Sequence, residues 1–394
     1  MKISIITPTH DAQYLPELER SILANHYQNW EWIILINNGA KYQSSDPRIR
    51  VEKCPFVSQS VGALKKYACS LATGEVIAEV DHDDMITEDC LSELSNAFKD
   101  HRIGFAYSDN AKLAKDFLPY DPEMGWRSYE YNWQGRTLTA MESLPLTPGR
   151  LGYIWYAPDH IRAWRKSVYD QVGGHDEALD ICDDLDLMHR LYMVCEFKYI
   201  PKVLYIYRIT GDNTWLQRNQ AIQTKNVELY HRDIHSLAHR FCDIKGLMRI
   251  DLCGGHNKPA GYTSIDLEEG DIIADLNQGI PLADNSCGIV RAYDALEHLY
   301  DKQKTMAEIH RVLAPGGILL SMTPSTDGRG AWQDPTHVSF WNENAFWYWT
   351  RPEQMKYIRN KTIRFFPSSL RTLYPSQWHE SHKISYVEAF LEKI

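Results

Sequence analysis

The sequence predicts an α/β protein built from two doubly wound domains in series. Three observations carry this. The chain has 394 residues, more than one hydrophobic core usually serves. Its N-terminal part alternates short β-branched runs with helical stretches, the pattern of a parallel sheet with crossover helices. From Met248 a second such series opens, after a polar stretch without any strand signal.

Taken in order, Lys2–Pro8 is predicted as a strand and Leu15–Asn25 as an amphipathic helix. Trp30–Ile36 is a second strand that stops at Asn37-Asn38-Gly39, a turn signal. Ser60–Ala72 is a helix ended by Gly74, and Glu75–Val80 is a third strand running into Asp81-His82-Asp83-Asp84. Between 117 and 160 the periodicity fails and aromatics crowd in: Phe117, Tyr120, Trp126, Tyr129, Tyr131, Trp133, Tyr153, Trp155 and Tyr156. Helical spacing returns at Ile161–Val172 and Asp183–Tyr192. The polar segment 215–245 reads as a helical linker, which divides the chain into domains at 1–214 and 246–394. In the second domain Met248–Leu252, Thr263–Leu267, Ile272–Leu276, Gly288–Tyr293 and Gly317–Thr323 read as strands, with Thr362–Thr372 and Ile384–Leu391 closing the chain.

Hydrophobic residues make up 44% and charged residues 24%, ordinary for a soluble globular protein. No run approaches the ~20 apolar residues of a membrane helix, and the N-terminus does not read as a signal peptide. The eight cysteines show no metal-ligand spacing, so reduced thiols in a cytoplasmic protein are expected. The net charge of −10 argues against a surface that tracks phosphates throughout. Residues 351–372 nevertheless hold six basic side chains against one acid, which keeps an anionic partner open.

The first chemical signal is Asp81-x-Asp83-Asp84 after the apolar run Val76–Val80. Ligands of open parallel sheets bind beyond the carboxyl ends of the strands, where these acids fall. Bare carboxylates repel a diphosphate unless a divalent cation sits between them, and Mg²⁺ or Mn²⁺ takes such oxygen ligands. A solvated acidic turn with Asp84 capping a helix is the plainer alternative.

The wider context resembles inverting glycosyltransferases of the GT-A fold, family 2-like. Ile3-Ser4-Ile5-Ile6-Thr7-Pro8-Thr9-His10 looks like the family's first strand and turn, and Tyr27-Gln28-Asn29-Trp30-Glu31-Trp32-Ile33-Ile34 like its second strand. Gly62, Ala68, Ala72, Gly74 and the acid motif follow in the family's order, over roughly residues 1–215. The resemblance implies a nucleotide-sugar donor, UDP-linked, contacted by Pro8, Thr9, His10, Asn37, Asn38, Lys65 and Asp81. It implies a metal, Mn²⁺ or Mg²⁺, at Asp81 and Asp83. Asn37-Asn38 departs from the usual aspartate pair, which leaves base preference open. Relatives often place a histidine near Thr210; here Asp212 is the available substitute.

Transfer with inversion needs one base for the acceptor hydroxyl. Val172-Gly173-Gly174-His175-Asp176-Glu177, followed by Asp183-Asp184-Leu185-Asp186-Leu187, resembles the family stretch in which a glycine pair precedes an acidic pair. The resemblance implies Asp184 as base, with Asp183 second; caps that complement a helix dipole are the alternative. The aromatic stretch before it is expected on the acceptor side, which aromatic faces suit without naming the acceptor.

In the second domain Ile250-Asp251-Leu252-Cys253-Gly254-Gly255 looks like the glycine-rich turn of class I S-adenosylmethionine-dependent methyltransferases. Asp266, Ala274-Asp275-Leu276-Asn277, Asp294-Ala295-Leu296-Glu297-His298 and Arg311–Gly317 follow in the family's order, over residues 246 to about 350. The resemblance implies S-adenosylmethionine at Asp251, Gly254, Gly255, Asp266, Asp275 and Asp294, although Cys253 stands where glycine is usual. Asp334-Pro335-Thr336-His337-Val338-Ser339-Phe340-Trp341 looks like a motif of one subfamily and has no assigned role. The expected activity is sugar transfer to a glycan or other hydroxyl, a nucleic-acid base included. The alternatives are a bifunctional enzyme that also methylates, or a second domain that only docks acceptor or partner.

Overall fold

A computed structural model describes residues 1–56, 60–114, 117, 126–153 and 158–394. The chain forms two compact units: residues 1–146 with 154–231, and residues 147–153 with 232–394.

In the first unit β1 (Ile3–Thr9), β2 (Trp30–Ile36), β3 (Ile49–Lys53) and β4 (Val76–Glu79) form the parallel part of the sheet. The rest comprises β5 (Met85–Ile86), β6 (Ile103–Leu113), the hairpin β7 (Ser128–Trp133) and β8 (Arg136–Met141), β9 (Arg162–Arg165) and β10 (Glu196–Arg208). The strand path is β3-β2-β1-β4-β9-β6-β10-β5, with the β7–β8 hairpin paired onto β6. Continuous apolar runs such as Trp30–Ile36 are buried along their whole length, as parallel strands covered on both faces require. Thr7 inside this core is satisfied: its Oγ1 donates to the Val80 carbonyl at 2.8 Å and accepts from Trp32 Nε1 at 2.9 Å.

The helices of this unit include α1 (Leu15–Leu23), α2 (Val61–Ser70), α3 (Cys90–Ala97), α5 (Lys166–Gln171), α6 (Asp183–Tyr192) and α7 (Thr214–Gln217). Ser60 caps α2 through the Ala63 amide at 3.2 Å. Gly62 lies so close to the 176–179 turn that a Cβ would fall 2.0 Å from the Asp176 carbonyl. That approach, sealed by Gly62 N donating to Leu179 O at 2.9 Å, sets Lys65 one turn further along, facing the sheet's carboxyl edge.

Helix α4 (Pro148–Tyr153) folds with the second unit, where Thr147 Oγ1 donates to Glu392 at 2.6 Å and Arg150 Nε lies 3.2 Å from the same carboxylate. The stretch expected as a linker is α7 followed by the long α8 (Asn219–Lys245), and the division between units falls within α8. The second sheet contains β11 (Met248–Leu252), β12 (Thr263–Asp266), β13 (Ile272–Ile273), β14 (Cys287–Tyr293), β15 (Leu313–Pro324), β16 (Phe365–Leu373) and β17 (Tyr386–Lys393). Its order is β13-β12-β11-β14-β15-β17-β16, with β17 antiparallel to both its neighbours. The order reverses direction between β11 and β14, so a crevice opens beyond their carboxyl ends. Helices α9 (Lys302–Val312), α10 (Gly330–Gln333) and α11 (Glu343–Thr350) complete the part of this unit that bears on function. Both units are α/β, as the sequence predicts.

Several elements differ from expectation. Ile161–Val172 is not one helix: its first residues form β9, between β4 and β6, and only Lys166–Gln171 is helical. Strands β3, β5, β6, β7, β8 and β10 have no counterpart among the expected elements. β10 carries Pro201 at a register shift between Ile200 and Val203, where a residue without an N–H is tolerated. No helix of the described residues is long and apolar enough to cross a membrane.

Candidate active site

The acid motif leaves β4 at Glu79, a buried carboxylate inside an otherwise apolar strand. Glu79 is held from three sides. Lys65 Nζ lies 2.8 Å from its Oε1, His175 Nε2 3.6 Å from its Oε2, and His160 Nε2 3.9 Å from its Oε1. The same Lys65 ammonium is 3.2 Å from Asp183 and the same His175 ring 3.7 Å from it. Lys65 thus sits within the charge cluster. Its ammonium stays protonated: burial opposes the charge, but Asp183 and Glu79 outweigh it.

Asp81 reaches outward, its side chain 40% exposed and 3.8 Å from His160. Burial and the Arg162 charge work against a protonated His160, but the nearby Asp159, Glu79 and Asp81 carboxylates prevail and raise it to about 9. Glu79, Asp81 and His160 each offer a ligand atom within 4.8 Å of the others. Asp83 is raised above the ordinary carboxylate range, first by burial and then by Asp81. Asp84 caps no helix: it accepts from the Arg208 amide of β10 at 2.6 Å, and α3 begins only at Cys90. Asp81 and Asp83 offer the carboxylate oxygens that Mn²⁺ and Mg²⁺ take, while the protonated His160 and the Lys65-paired Glu79 lie behind them as a charged support.

Of the acidic pair, Asp183 and Asp184 open α6, whose N-cap, Cys182, offers no side-chain hydrogen bond. Their surroundings differ. Asp183 is 6% exposed and turned to Lys65 and His175, and burial raises it. Asp184 is 21% exposed and ion-paired with Arg162 of β9. Burial disfavours its charge, but Arg162 and Lys65 overcome this and hold it below the ordinary range. Asp186 instead pairs with Arg190 on another face of the helix, at 2.6 Å.

Pro8 and Thr9 close β1; Thr9 accepts the Asp11 amide at 3.1 Å, and exposed His10 stacks edge-on to His82 at 5.1 Å. Asn37 and Asn38 line a cavity of about 940 Å³ beyond the carboxyl end of β2, together with Tyr42, Lys53 and Phe56. Asn37 Oδ1 is buried there without a hydrogen-bond partner among the described residues, and Asn38 takes a left-handed φ of 49°. Asp212 is exposed in a turn with Thr210, whereas His160 lies 3.8 Å from Asp81. Of the aromatics, Trp126 is buried and Tyr129 donates to Asp109 at 2.8 Å; Tyr120, Trp155, Tyr156 and the Tyr153 side chain lie outside the described residues.

Sequence reasoning passed over Glu79, His160 and Arg162. Glu79 had a signal, a lone acid in an apolar strand, where only pairing makes burial tolerable. Arg162 had none, because its strand lies inside the expected helix Ile161–Val172, and His160 falls at the end of the 117–160 stretch where no period shows.

In the second unit the glycine turn follows β11. A Cβ on Gly254 would fall 2.3 Å from Asp251 Oδ2, so only glycine fits, and Gly255 has a φ of +50°. Cys253 holds a left-handed φ of 55°, which explains the preference for glycine there. Asp251 is fully buried and receives Arg291 NH1 at 2.7 and 2.9 Å, so its carboxylate belongs to the scaffold of the turn. Asp266 ends β12 and accepts the Glu268 and Glu269 amides at 3.1 and 3.4 Å. Asp275 accepts the Asn277 amide at 2.9 Å, and Asp294 is exposed after β14 with φ 49°. Of the basic run, Arg371 is paired with Glu388 at 2.9 Å and Arg351 lies 3.7 Å over Trp347.

Two parts of the chain match known families. Residues 4–153 match the family described as Glycosyl transferase family 2, and residues 248–321 match a Methyltransferase domain. A hyaluronan synthase of Pasteurella multocida is 24% identical over 238 residues, 57% of this chain and 22% of that protein. A probable S-adenosylmethionine-dependent methyltransferase of Mycolicibacterium smegmatis is 33% identical over 83 residues, 20% of this chain and 30% of that protein. Among solved structures, residues 1–349 of S. aureus TarS cover 57% of this chain and 65% of that one, at 17% identity and a TM-score of 0.41. The chain thus spans about a fifth of the length of the synthase it matches. The two family matches identify a glycosyl transferase family 2 domain at residues 4–153, followed by a methyltransferase domain at residues 248–321.

Proposed function

We propose that this protein is an inverting glycosyltransferase, moving a sugar from a nucleoside diphosphate donor, UDP-linked, to a glycan hydroxyl. The observation that carries the reading is the contrast between the acid neighbours: Asp184 is partly open and held ionised by Arg162, while Asp183 is locked to Lys65. An ionised carboxylate with one accessible edge is what an acceptor hydroxyl needs for its proton. Arg162 holds that edge in place, and Glu79 and Lys65 join this side of the cluster to Asp81. The cavity at Asn37 and Asn38 takes the base, whose edge the two amides hydrogen-bond, and Pro8, Thr9 and His10 flank the nucleotide. Asp81 and Asp83 would hold Mn²⁺ or Mg²⁺, with the Lys65–Glu79 pair and His160 supporting them from behind. The metal, when bound, offsets charge on the departing diphosphate. The synthases among the relatives point to a glycan as acceptor.

The test is transfer and donor affinity across UDP-, GDP- and CDP-sugars with Mn²⁺, for wild type, Asp184→Asn and Asp183→Asn. Asp184→Asn is expected to slow transfer by about 10²–10⁴-fold with donor affinity unchanged. If Asp183→Asn is the dead enzyme and Asp184→Asn the mild one, the base assignment is wrong. If neither is slowed, the reading fails.

A second activity rests on the second unit. Gly254, Gly255, Asp266, Asp275 and Asp294 line the turns around the switch between β11 and β14, and would hold S-adenosylmethionine, which supplies a methyl group when bound. That Gly254 admits no Cβ supports a close-packed cofactor turn.

A further inference from the structure

The motif Asp334–Trp341 has no part in either reading above, yet the fold places it against the turn that follows β14. The Val338 and Ser339 amides both donate to the Glu297 carbonyl at 2.9 Å, and Ser339 Oγ donates to the Leu296 carbonyl at 2.8 Å. Trp341, buried, anchors the loop by donating Nε1 to Ser339 Oγ at 2.9 Å. The single 3-10 turn Leu296–His298 and the loop are therefore fixed to one another.

Three side chains converge where they meet: Glu297, His298 and His337 each offer a ligand atom within 4.8 Å of the other two. The rings of His298 and His337 are 5.1 Å apart, edge to face. His298 Nδ1 lies 3.2 Å from the Thr336 carbonyl, and His337 Nδ1 lies 3.1 Å from the Ala331 carbonyl. A carbonyl only accepts, so these contacts put a proton on each Nδ1 and leave each Nε2 with a free lone pair. Backbone carbonyls that fix tautomer in this way are the usual outer partners of metal-bound histidines.

Glu297 supplies the independent observation. Its side chain is 2% exposed; Oε2 accepts from Thr323 Oγ1 at 2.5 Å, while Oε1 is buried with no hydrogen-bond partner. A buried carboxylate oxygen left bare is costly unless a cation meets it.

We propose that Glu297, His298 and His337 form a site for a divalent transition-metal ion in the second unit. Two imidazoles and one carboxylate suit Zn²⁺ and its neighbours better than Mg²⁺ or Ca²⁺. Three protein ligands leave a position open, the pattern of zinc sites that take a water or a substrate oxygen. The site lies at the carboxyl ends of β14 and β15, beside the crevice where a methyl acceptor would enter, and its existence does not depend on methyl transfer.

The experiment uses the full chain, stripped with chelator, and Zn²⁺ titrated by calorimetry with metal analysis after dialysis. Because the acid cluster of the first unit also offers ligands, every measurement is made in an Asp81→Ala/Asp83→Ala background. One Zn²⁺ per chain is expected there, weakened at least ~100-fold by His337→Ala or Glu297→Gln. No Zn²⁺ in that background, or binding that His337→Ala leaves unchanged, overturns the proposal. His337→Cys guards against a variant that merely misfolds. It is expected to keep Co²⁺ and to add a thiolate-to-metal charge-transfer band, and a Co²⁺ spectrum identical to that of His337 also overturns the proposal.

Discussion

The Lys65 ammonium and the Glu79 carboxylate meet 2.8 Å apart beneath the acid cluster, and neither has an alternative in water. The pair links a helix, α2, to the strand end that presents Asp81, so it orients the acids as well as neutralising them. Lys65→Met removes the cation and leaves Glu79 and Asp183 facing each other. Breaking a buried pair from one side costs about 3–5 kcal/mol. We expect a loss of that size in urea unfolding, and a much smaller one for Lys65→Met combined with Glu79→Gln. Equal losses in the single and double variants would show that the pair is not coupled.

Asp83 is expected to behave in the opposite way. Burial and the neighbouring Asp81 charge both disfavour its ionised form. Asp83→Ala should therefore leave thermal stability unchanged or slightly raised at neutral pH, while abolishing Mn²⁺-dependent nucleotide binding. Calorimetry with UDP, with and without Mn²⁺, reads the second effect and a melting curve the first. Metal-dependent binding that survives in the variant removes Asp83 from the site.

Much of this was legible from the sequence because the apolar periods were strong. Trp30–Ile36, Asp183–Tyr192 and Met248–Leu252 appear with the bounds expected. What escaped has physical reasons. β3 is an edge strand whose Ile-Arg-Val-Glu-Lys alternates with solvent, and β10 is interrupted by Pro201 at a bulge. β9 is only four residues long and runs straight into α5, so its apolar residues merged with the helical period. Of the site residues that escaped, His160 and Arg162 sit on or beside that strand. No spacing rule joins them to Asp81 and Asp184; only the sheet order does.

The methyltransferase domain divides its acids by role. Asp251 is spent on Arg291, with both oxygens engaged, whereas Asp266 only accepts two amides of its own turn. Asp251→Ala should cost about 1–3 kcal/mol, the price of losing charged hydrogen bonds to a partly exposed arginine. Asp266→Ala should cost well under that, yet remove any thermal shift caused by S-adenosylmethionine. Melting curves of both variants with and without the cofactor decide. A shift that persists in Asp266→Ala moves the ribose contact elsewhere.

The last prediction concerns acid. His310, on α9, lies edge-on to Phe365 at 5.2 Å, and its Nε2 is buried with no hydrogen-bond partner among the described residues. Burial, and then the nearby Lys393 charge, lower it from 6.5 to about 4, against a weaker opposing hydrogen bond with the Arg364 backbone. The folded state therefore takes this proton later than the unfolded chain does. Its contribution to stability is complete above about pH 6.5, declines as the pH falls, and is gone once the ring protonates near 4. Because the ring is partly exposed, we expect about 1–2 kcal/mol across that window after allowing for screening. His310→Leu keeps an apolar contact with Phe365 and removes the titration. The difference in urea stability between wild type and His310→Leu should be flat above pH 7 and shift in favour of the leucine variant towards pH 4.5. An imidazole resonance absent from His310→Leu should titrate near 4 in wild type. If that resonance titrates near 6.5, the ring is open to water and the pH effect must come from other groups.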